Sequence, residues 1–238
     1  MAAQGLGFRP LYRQVREVLV KRIADGIWQA GQLLPSEPEI AADLGVSQGT
    51  VRKALDEMTA ENLVVRRQGR GTYVARHDDA RILFQFFKIV PDSGEREFPD
   101  SRVLDVGIGT DPEAAGILGL PEDGRILRLD RVRLLGGRVC VLERIALPPD
   151  LFPGLEGREI PNNLYEHYAT EFGVTVGRAS EKLKAVAATE EAARHLDVPV
   201  GEPLLRVDRT AYALDGRPAE WRVSLCRTDG LHYWSDLR

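Results

Sequence analysis

The chain has 238 residues, of which 43% are hydrophobic and 29% charged, and this length predicts two domains. It contains no apolar run long enough to cross a bilayer, and residues 1–15 lack the apolar segment of a signal peptide. Cys140 and Cys226 match neither a metal-ligand spacing nor a disulfide-rich scaffold. A cytoplasmic protein without a membrane partner, a metal or a cofactor is therefore predicted.

The net charge of −4 is unevenly distributed along the chain. Residues 1–76 contain 11 Lys and Arg against 8 Asp and Glu, whereas the remaining residues contain 21 against 28. Binding to nucleic acid depends on Lys and Arg that displace counterions from the phosphates. The resulting charges of +3 and −7 place any contact with nucleic acid in the first third of the chain.

The first domain, residues 8–76, is predicted to contain three helices. Helical spacing of apolar residues predicts them at residues 10–25, at 37–44 and from 48 to about 62. Ser36 and Ser47 are candidate N-caps, and Gly45 provides the left-handed residue for a sharp turn between the second and third helices. Strands 64–67 and 72–75 then form a hairpin around residues 68–71. This order is typical of a winged helix-turn-helix.

The third helix is the candidate recognition helix, because the first residues of the second helix in a helix-turn-helix meet the base edges of DNA. Its first turns expose Gln48, Gly49, Thr50 and Arg52. Gln can pair with adenine and Arg with guanine. Arg66, Arg67 and Arg70 are expected to project from the wing toward phosphates or a minor groove. The alternatives are a small helical domain with solvated charges and a module that docks proteins.

The motif LPSExxxAxxLGVSxxTVRxAL, followed by RRQGRGTYVA, resembles the DNA-binding domain of GntR-family bacterial transcription regulators. The resemblance implies a homodimer that binds double-stranded operator DNA. It implies DNA contacts at Ser36, Ser47, Gln48, Gly49, Thr50, Arg52, Gln68, Gly69 and Arg70. The family usually has arginine where this chain has Pro38 and Gln48, so we hypothesise an operator that differs from the common one at the bases read by Gln48.

A short polar linker, residues 77–81, is predicted before the second domain, residues 82–238. The apolar run ILFQFFKIV at 82–90 predicts a buried strand, and residues 91–101 predict a charged loop. The phenylalanines Phe84, Phe86 and Phe87 are interpreted as core residues rather than as a ligand cage.

An internal repeat organises the second domain. Residues 111–131 and 189–209 are identical at nine of 21 positions, including Arg131 and Arg209. Each copy predicts a helix, a loop and a strand, then a hairpin turn, at Gly136-Gly137 or at Asp215-Gly216, and a second strand. Two copies sharing one antiparallel sheet, with a helix at 164–172 between them, would leave a cleft where they meet.

Two arginines continue an otherwise apolar strand face, because Arg131 and Arg133 alternate in phase with Leu127 and Leu129. An unpaired buried charge is costly. The pair is therefore either a set of structural salt bridges, for instance to Glu143, or a preformed anion site. A strict two-residue turn would place Glu143 on the sheet face opposite to Arg131, and a three-residue loop with a bulge would place the two residues on the same face. Arg128, Asp130, Arg206 and Asp208 are expected to form cross-strand pairs on the other face.

The stretches RVR at 131–133, LERIALPPDLFPGL at 142–155, NNLYEHY at 162–168 and DRTAYALDGRPAEWRVSLCR at 208–227 resemble the UTRA effector-binding domain. With the first domain, they indicate the HutC-type branch of the GntR family. The resemblance implies an α+β antiparallel-sheet domain, chorismate-lyase-like, that binds a small anionic metabolite and contributes to the dimer. It implies effector contacts at Arg131, Arg133, Glu143, Asn163, Tyr165 and Ser224. Cys226 stands where the family often has an aromatic residue.

A transcription regulator controlled by a small metabolite, more specifically a repressor, is the predicted function. The effector would change the separation or mobility of the two recognition helices of a dimer. One alternative is a constitutive DNA binder with a vestigial pocket. The other is a lyase-like enzyme, but the sequence has no nucleophile–base pair, metal cluster or phosphate loop, and its four histidines are scattered. We therefore predict that the chain is not an enzyme and has no catalytic residues.

Overall fold

A computed structural model describes residues 10–61, 63–75, 86–93 and 97–235. The chain forms two compact units, residues 1–76 and 77–238. The predicted linker at 77–81, Phe84 and the predicted helix end at Asn62 lie outside the described residues. Within the described ranges, no helix combines the length and the apolar character that a membrane span needs.

The first unit has three helices and a hairpin, as predicted. They are α1 (Leu11–Ala24), α2 (Glu37–Leu44), α3 (Gln48–Ala60), β1 (Val64–Arg67) and β2 (Gly71–Val74). The apolar face of each helix turns inward, and Leu19, Ile40, Val51, Leu55 and Met58 are 0–1% exposed. The predicted left-handed residue is present, since Gly45 has φ 64°. The first unit is therefore a winged helix-turn-helix.

The second unit is built on a six-stranded antiparallel sheet. Its strands are β4 (Asp100–Thr110), β5 (Arg125–Leu135), β6 (Arg138–Leu147), β7 (Val176–Ala187), β8 (Pro203–Ala213) and β9 (Pro218–Cys226). They lie in the order β4-β5-β6-β9-β8-β7. A separate two-stranded sheet pairs β3 (Ile89–Pro91) with β10 (Leu231–Tyr233). The predicted fold class, an α+β antiparallel-sheet domain after a helical domain, is confirmed.

The internal repeat is visible in this sheet. The first copy runs β4, α4 (Pro112–Leu118), β5, β6, and the second runs β7, α6 (Glu190–Leu196), β8, β9. The second strands of the two copies, β6 and β9, pair with each other at the centre. The helices α4 and α6 pack on one face of the sheet. The opposite face carries α5 (Leu164–Phe172), whose predicted bounds are confirmed.

Two predictions for the second unit were wrong about strands. The buried strand expected at 82–90 is shorter in its described part, where only Ile89 and Val90 are in β3. The loop expected at 91–101 ends in the start of β4, a long edge strand that the sequence analysis missed. Its residues are largely exposed, so β4 lacks the alternation of apolar and polar residues that marks a half-buried strand.

The register around Glu143 combines features of both predicted alternatives. The turn has two residues, Gly136 and Gly137, with φ 54° and 77°, and Leu135 pairs with Arg138. Cys140 is then an extra residue in β6, because Leu134 pairs with Val139 and Arg133 with Val141. Without this bulge, the two-residue turn would pair Arg131 with Leu142. The bulge therefore makes Glu143 the direct cross-strand partner of Arg131, on the same face of the sheet.

Candidate functional site

The predicted recognition residues lie at the start of α3 and are accessible. Gln48, Gly49 and Arg52 are exposed and Thr50 is half-buried. Ser47 caps the helix by accepting a hydrogen bond from the Thr50 backbone N at 3.2 Å. A Cβ added at Gly49 would meet only Ser47 Oγ, at 3.9 Å. No described part of the chain therefore requires glycine at position 49, and the backbone there is open to a close-lying ligand.

Ser36 begins α2 with a capping box. Its Oγ accepts a hydrogen bond from the Glu39 backbone N at 3.4 Å, while the Ser36 backbone N donates to Glu39 Oε2 at 2.8 Å. The Ser36 hydroxyl also donates to Glu39 Oε2 at 2.7 Å. This serine has a structural role in starting the helix, and a contact with DNA would be additional to it.

The wing presents Gln68, Gly69 and Arg70 at an exposed turn. Gly69 has φ 70°, a left-handed conformation that favours glycine. Arg66 does not project freely from the wing as expected. Its Nη1 lies 2.5 Å from Asp56 Oδ1, so this guanidinium is paired within the unit. Arg67 stacks on Tyr73, with its Cζ 4.8 Å from the ring centroid.

The second unit contains a small cavity of about 40 Å³ on the sheet face that carries α5. Its walls combine aromatic rings, four arginines and the start of α5. The lining residues are Phe86, Phe87, Phe98, Arg131, Arg133, Asn162, Asn163, Leu164, Tyr165, Arg209 and Arg222. Arg131, Arg133, Asn163 and Tyr165 were predicted as effector contacts. Glu143 and Ser224 are not among the lining residues, and they pair with each other across β6 and β9 behind the arginines.

Three of the four arginines are held by carboxylates. Arg131 Nε donates to Glu143 Oε2 at 2.6 Å. Arg222 donates to both oxygens of Glu220, at 2.9 and 2.8 Å, and its Nη1 donates to Glu143 Oε1 at 3.1 Å. Arg209 Nε donates to Glu181 Oε1 at 2.7 Å. These charge-assisted bonds fix the arginines in place before any ligand binds.

Arg133 is the exception. Among the described residues, its carboxylate partner is Glu143, whose Oε2 is 3.9 Å from Nη1, beyond hydrogen-bond distance. Its Nη2 donates to the Pro99 carbonyl at 3.0 Å, and its Nε is buried without a hydrogen-bond partner among the described residues. The guanidinium stacks on Phe87 and Phe98, with Cζ 5.4 and 5.2 Å from the ring centroids. Burial, followed by repulsion from Arg131, lowers the pKa of Arg133 to about 9.

The carboxylate of Glu143, behind the cavity, is ionised. Burial alone would raise the pKa of Glu143, but attraction to Arg131, Arg222 and Arg133 outweighs it and holds that pKa well below its usual range. Glu220, which is fully buried, also accepts hydrogen bonds from the hydroxyls of Tyr165 and Tyr168 at 3.0 and 3.1 Å. Among the described residues, four guanidinium groups and the Lys88 ammonium thus face the three carboxylates of Glu143, Glu181 and Glu220, so cations outnumber carboxylates in this cluster.

Several lining residues were missed in the sequence analysis. Arg209 occupies the position in the second repeat that Arg131 occupies in the first, so the alignment of the copies contained the signal for it. The cross-strand partner of Arg209 is Arg222, as Glu143 is that of Arg131. Phe86 and Phe87, which were interpreted as core residues, both line the cavity. Asn162 also lines it and carries a buried Oδ1 without a partner among the described residues.

The expected cross-strand pairs on the other sheet face are partly wrong. Arg206 donates to Asp208 in the same strand, at 2.9 and 2.8 Å, because residues two apart share a face. Arg128 does pair across strands, but with Asp105 of β4 at 3.2 Å. These pairs are half-buried or exposed and lie away from the cavity.

The chain matches two family models, "Bacterial regulatory proteins, gntR family" over residues 11–74 and "UTRA domain" over residues 95–232. It is 33% identical over 233 residues to the transcriptional repressor NagR of Bacillus subtilis, covering 96% of each chain. It is 30% identical to the histidine utilization repressor of Pseudomonas putida, covering 90% of this chain and 86% of that one. The ligand-binding domain of a GntR-family regulator from Bordetella bronchiseptica superposes with a TM-score of 0.60 and 35% identity, covering 64% of this chain and 98% of that domain. The chain therefore belongs to the HutC-type branch of the GntR family of bacterial transcription regulators and is not an enzyme.

Proposed function

We propose that this chain is a cytoplasmic repressor that binds operator DNA as a homodimer and is released by a small anionic metabolite. GntR-family regulators bind operator DNA and act as dimers. The exposed first turns of α3 and the wing turn at residues 68–70 support the DNA-binding part of the proposal. The proposed contacts are the nine residues implied by the family resemblance, with Ser36 and Ser47 acting also as helix caps.

The incomplete pairing of Arg133 is the observation that carries the effector part. A buried guanidinium without a hydrogen-bonded carboxylate is costly, and an anionic ligand would supply the missing acceptor. Carboxylate and phosphate both match the fork geometry of arginine. The start of α5 also lines the cavity, and the positive end of a helix dipole favours an anion there.

The proposed effector site therefore centres on Arg133, with Arg131, Asn163 and Tyr165 beside it. Arg209, Arg222 and Asn162 join it as further lining residues. Glu143 acts indirectly, since it orients Arg131 and Arg222 from behind the cavity wall. Ser224 is proposed to support the position of Glu143 rather than to contact the ligand.

Fluorescence anisotropy with labelled promoter DNA from the chain's own locus tests the proposal. The protein is titrated onto the DNA, and anionic metabolites bearing carboxylate or phosphate groups are then added one at a time. Release by one compound supports effector control. Release by none supports a constitutive DNA binder with a vestigial pocket, and absence of binding to any promoter fragment contradicts the repressor itself. A ligand must bind the free and the DNA-bound states with different affinity, or it shifts nothing.

A further inference from the structure

One carboxylate, that of Glu37, connects the three elements that form the proposed DNA-reading surface. Glu37 is the first residue of α2. Its Oε2 accepts hydrogen bonds from Arg52 Nε at 3.0 Å and from Gln48 Nε2 at 3.3 Å, both in α3. Its Oε1 lies 3.6 Å from Nη2 of Arg66 in β1. This one side chain thus contacts both the helix-turn-helix and the wing.

The contact with Arg52 fixes the orientation of the guanidinium. Glu37 Oε2 also lies 2.9 Å from Arg52 Nη2, so the carboxylate occupies the Nε–Nη2 edge of the group. The Nη1–Nη2 edge is left for a base or a phosphate. A long arginine side chain in water samples many rotamers, and holding it in one of them reduces the entropy lost when it contacts DNA.

This contact contributes little to the stability of the fold. The Arg52 side chain is 58% exposed and that of Glu37 is 21% exposed, and exposed ion pairs stabilise proteins weakly. Glu37 also places a negative charge on a surface that faces phosphates in the proposed complex. Partial burial acts to raise the pKa of Glu37, but hydrogen bonds from Arg52 and Gln48 outweigh it, so that the pKa is lowered. The carboxylate is therefore ionised at neutral pH and weakens the general attraction to DNA.

From these contacts, we propose that Glu37 is the positioning residue that sets the base selectivity of α3, by orienting Arg52 and Gln48. This inference rests on the proposed DNA-binding function. It separates two effects of the carboxylate. Glu37 reduces affinity for any DNA through its charge and increases the preference for operator through its geometry.

Three variants of the full-length chain test the proposal. Glu37→Gln removes the charge and keeps the size of the side chain. Asp56→Asn is the matched control. Asp56 is a carboxylate of α3 that pairs with Arg66, so its substitution removes the same charge without removing a hydrogen bond to Arg52 or Gln48. Glu37→Asp keeps the charge but withdraws the carboxylate from Arg52 by one methylene. Affinity is measured for a duplex that the wild-type chain selects from random DNA and for a scrambled duplex of equal length.

Glu37→Gln is expected to bind the scrambled duplex more tightly and to lose about tenfold in the ratio of selected to scrambled affinity, comparable to one bidentate base contact. Asp56→Asn is expected to bind both duplexes more tightly with an unchanged ratio. Glu37→Asp is expected to lower the ratio of selected to scrambled affinity without binding the scrambled duplex more tightly. Thermal unfolding of all three should match the wild type.

Equal behaviour of Glu37→Gln and Asp56→Asn would overturn the proposal, because Glu37 would then act only as a charge. If Glu37→Gln fails to fold, Glu37→Asp decides, and a wild-type ratio for that variant would overturn it. A wild-type chain that does not discriminate between the duplexes would instead contradict the DNA-binding function on which the inference rests.

Discussion

Arg131 and Glu143 form a buried ion pair across β5 and β6, with Nε 2.6 Å from Oε2 and side chains only 1% and 3% exposed. The pair bears on both interpretations of Arg131 and Arg133, as structural salt bridges or as an anion site. Arg131 is held by a structural salt bridge, and it also lines the cavity. Arg133, two residues further along the strand, has no carboxylate within hydrogen-bond distance in the described part of the chain. The two arginines should therefore respond differently to substitution.

Arg131→Ala is expected to lower the free energy of unfolding by about 3–5 kcal/mol, because it leaves Glu143 buried with one fewer partner. Urea unfolding monitored by circular dichroism measures this. Arg128→Ala is the matched control on the same strand, since Arg128 pairs with Asp105 at an exposed site and should cost about 0–1 kcal/mol. Equal costs for the two variants would show that the buried pair is not structural.

Arg133→Met is expected to keep the stability of the wild type or to increase it, because it removes a desolvated charge that lies against Phe87 and Phe98. Operator binding should be retained, and release by the anionic effector should be lost. Anisotropy with and without the effector measures both properties on one sample. Release at wild-type effector concentrations would exclude Arg133 as the anion anchor.

The parts of the fold that the sequence predicted are those with a strong local signal. The recognition helix and α5 follow from apolar periodicity, and the internal repeat follows from the nine identical positions. The edge strand β4 could not be predicted, because its side chains are exposed on both faces and no alternation distinguishes it from a loop. The register of Glu143 could not be predicted either, since it depends on a bulge at Cys140 that no residue type in this segment indicates.

The candidate cavity was predictable only in part. Arg131 and Arg133 stand out because charge interrupts an apolar strand face. Arg222 and Phe98 carry no such local signal, and they join the cavity because the sheet order and the segment that ends at Pro99 bring them there. Such residues depend on tertiary contacts between distant parts of the chain. For Arg209, the internal repeat was the only sequence feature that indicated a place in the cavity.

Stability is expected to fall in acid through Glu143. Its folded-state pKa lies well below its usual value, so the unfolded chain binds more protons and the ion pairs stabilise the fold fully above about pH 4.5. That contribution decreases as the pH falls below this value toward the folded-state pKa. Urea midpoints measured between about pH 6 and pH 3.5 should decrease. Glu143→Gln should be less stable at neutral pH and show a shallower decrease, and an unchanged slope would assign the acid sensitivity to other carboxylates.

Arg52→Ala is expected to lower operator affinity by about ten- to a hundredfold, the range of one good base contact, with thermal unfolding unchanged because Arg52 is exposed. Arg22→Ala serves as the control, since it removes an arginine of α1 that pairs with Asp43. It should leave the preference for operator over scrambled DNA unchanged. Similar losses for both variants would indicate a general charge effect rather than a base contact.

Gln48 is expected to direct the operator toward adenine at the base it reads, because its amide can pair with adenine N6 and N7, whereas arginine at that position pairs with guanine. Selection from random DNA by the wild-type chain and by Gln48→Arg tests this directly. The variant should select guanine at one position per half-site and keep the remaining bases, since Gly49, Thr50 and Arg52 are unchanged. Identical selected sequences would show that Gln48 does not read a base, and its hydrogen bond to Glu37 would then be its main role.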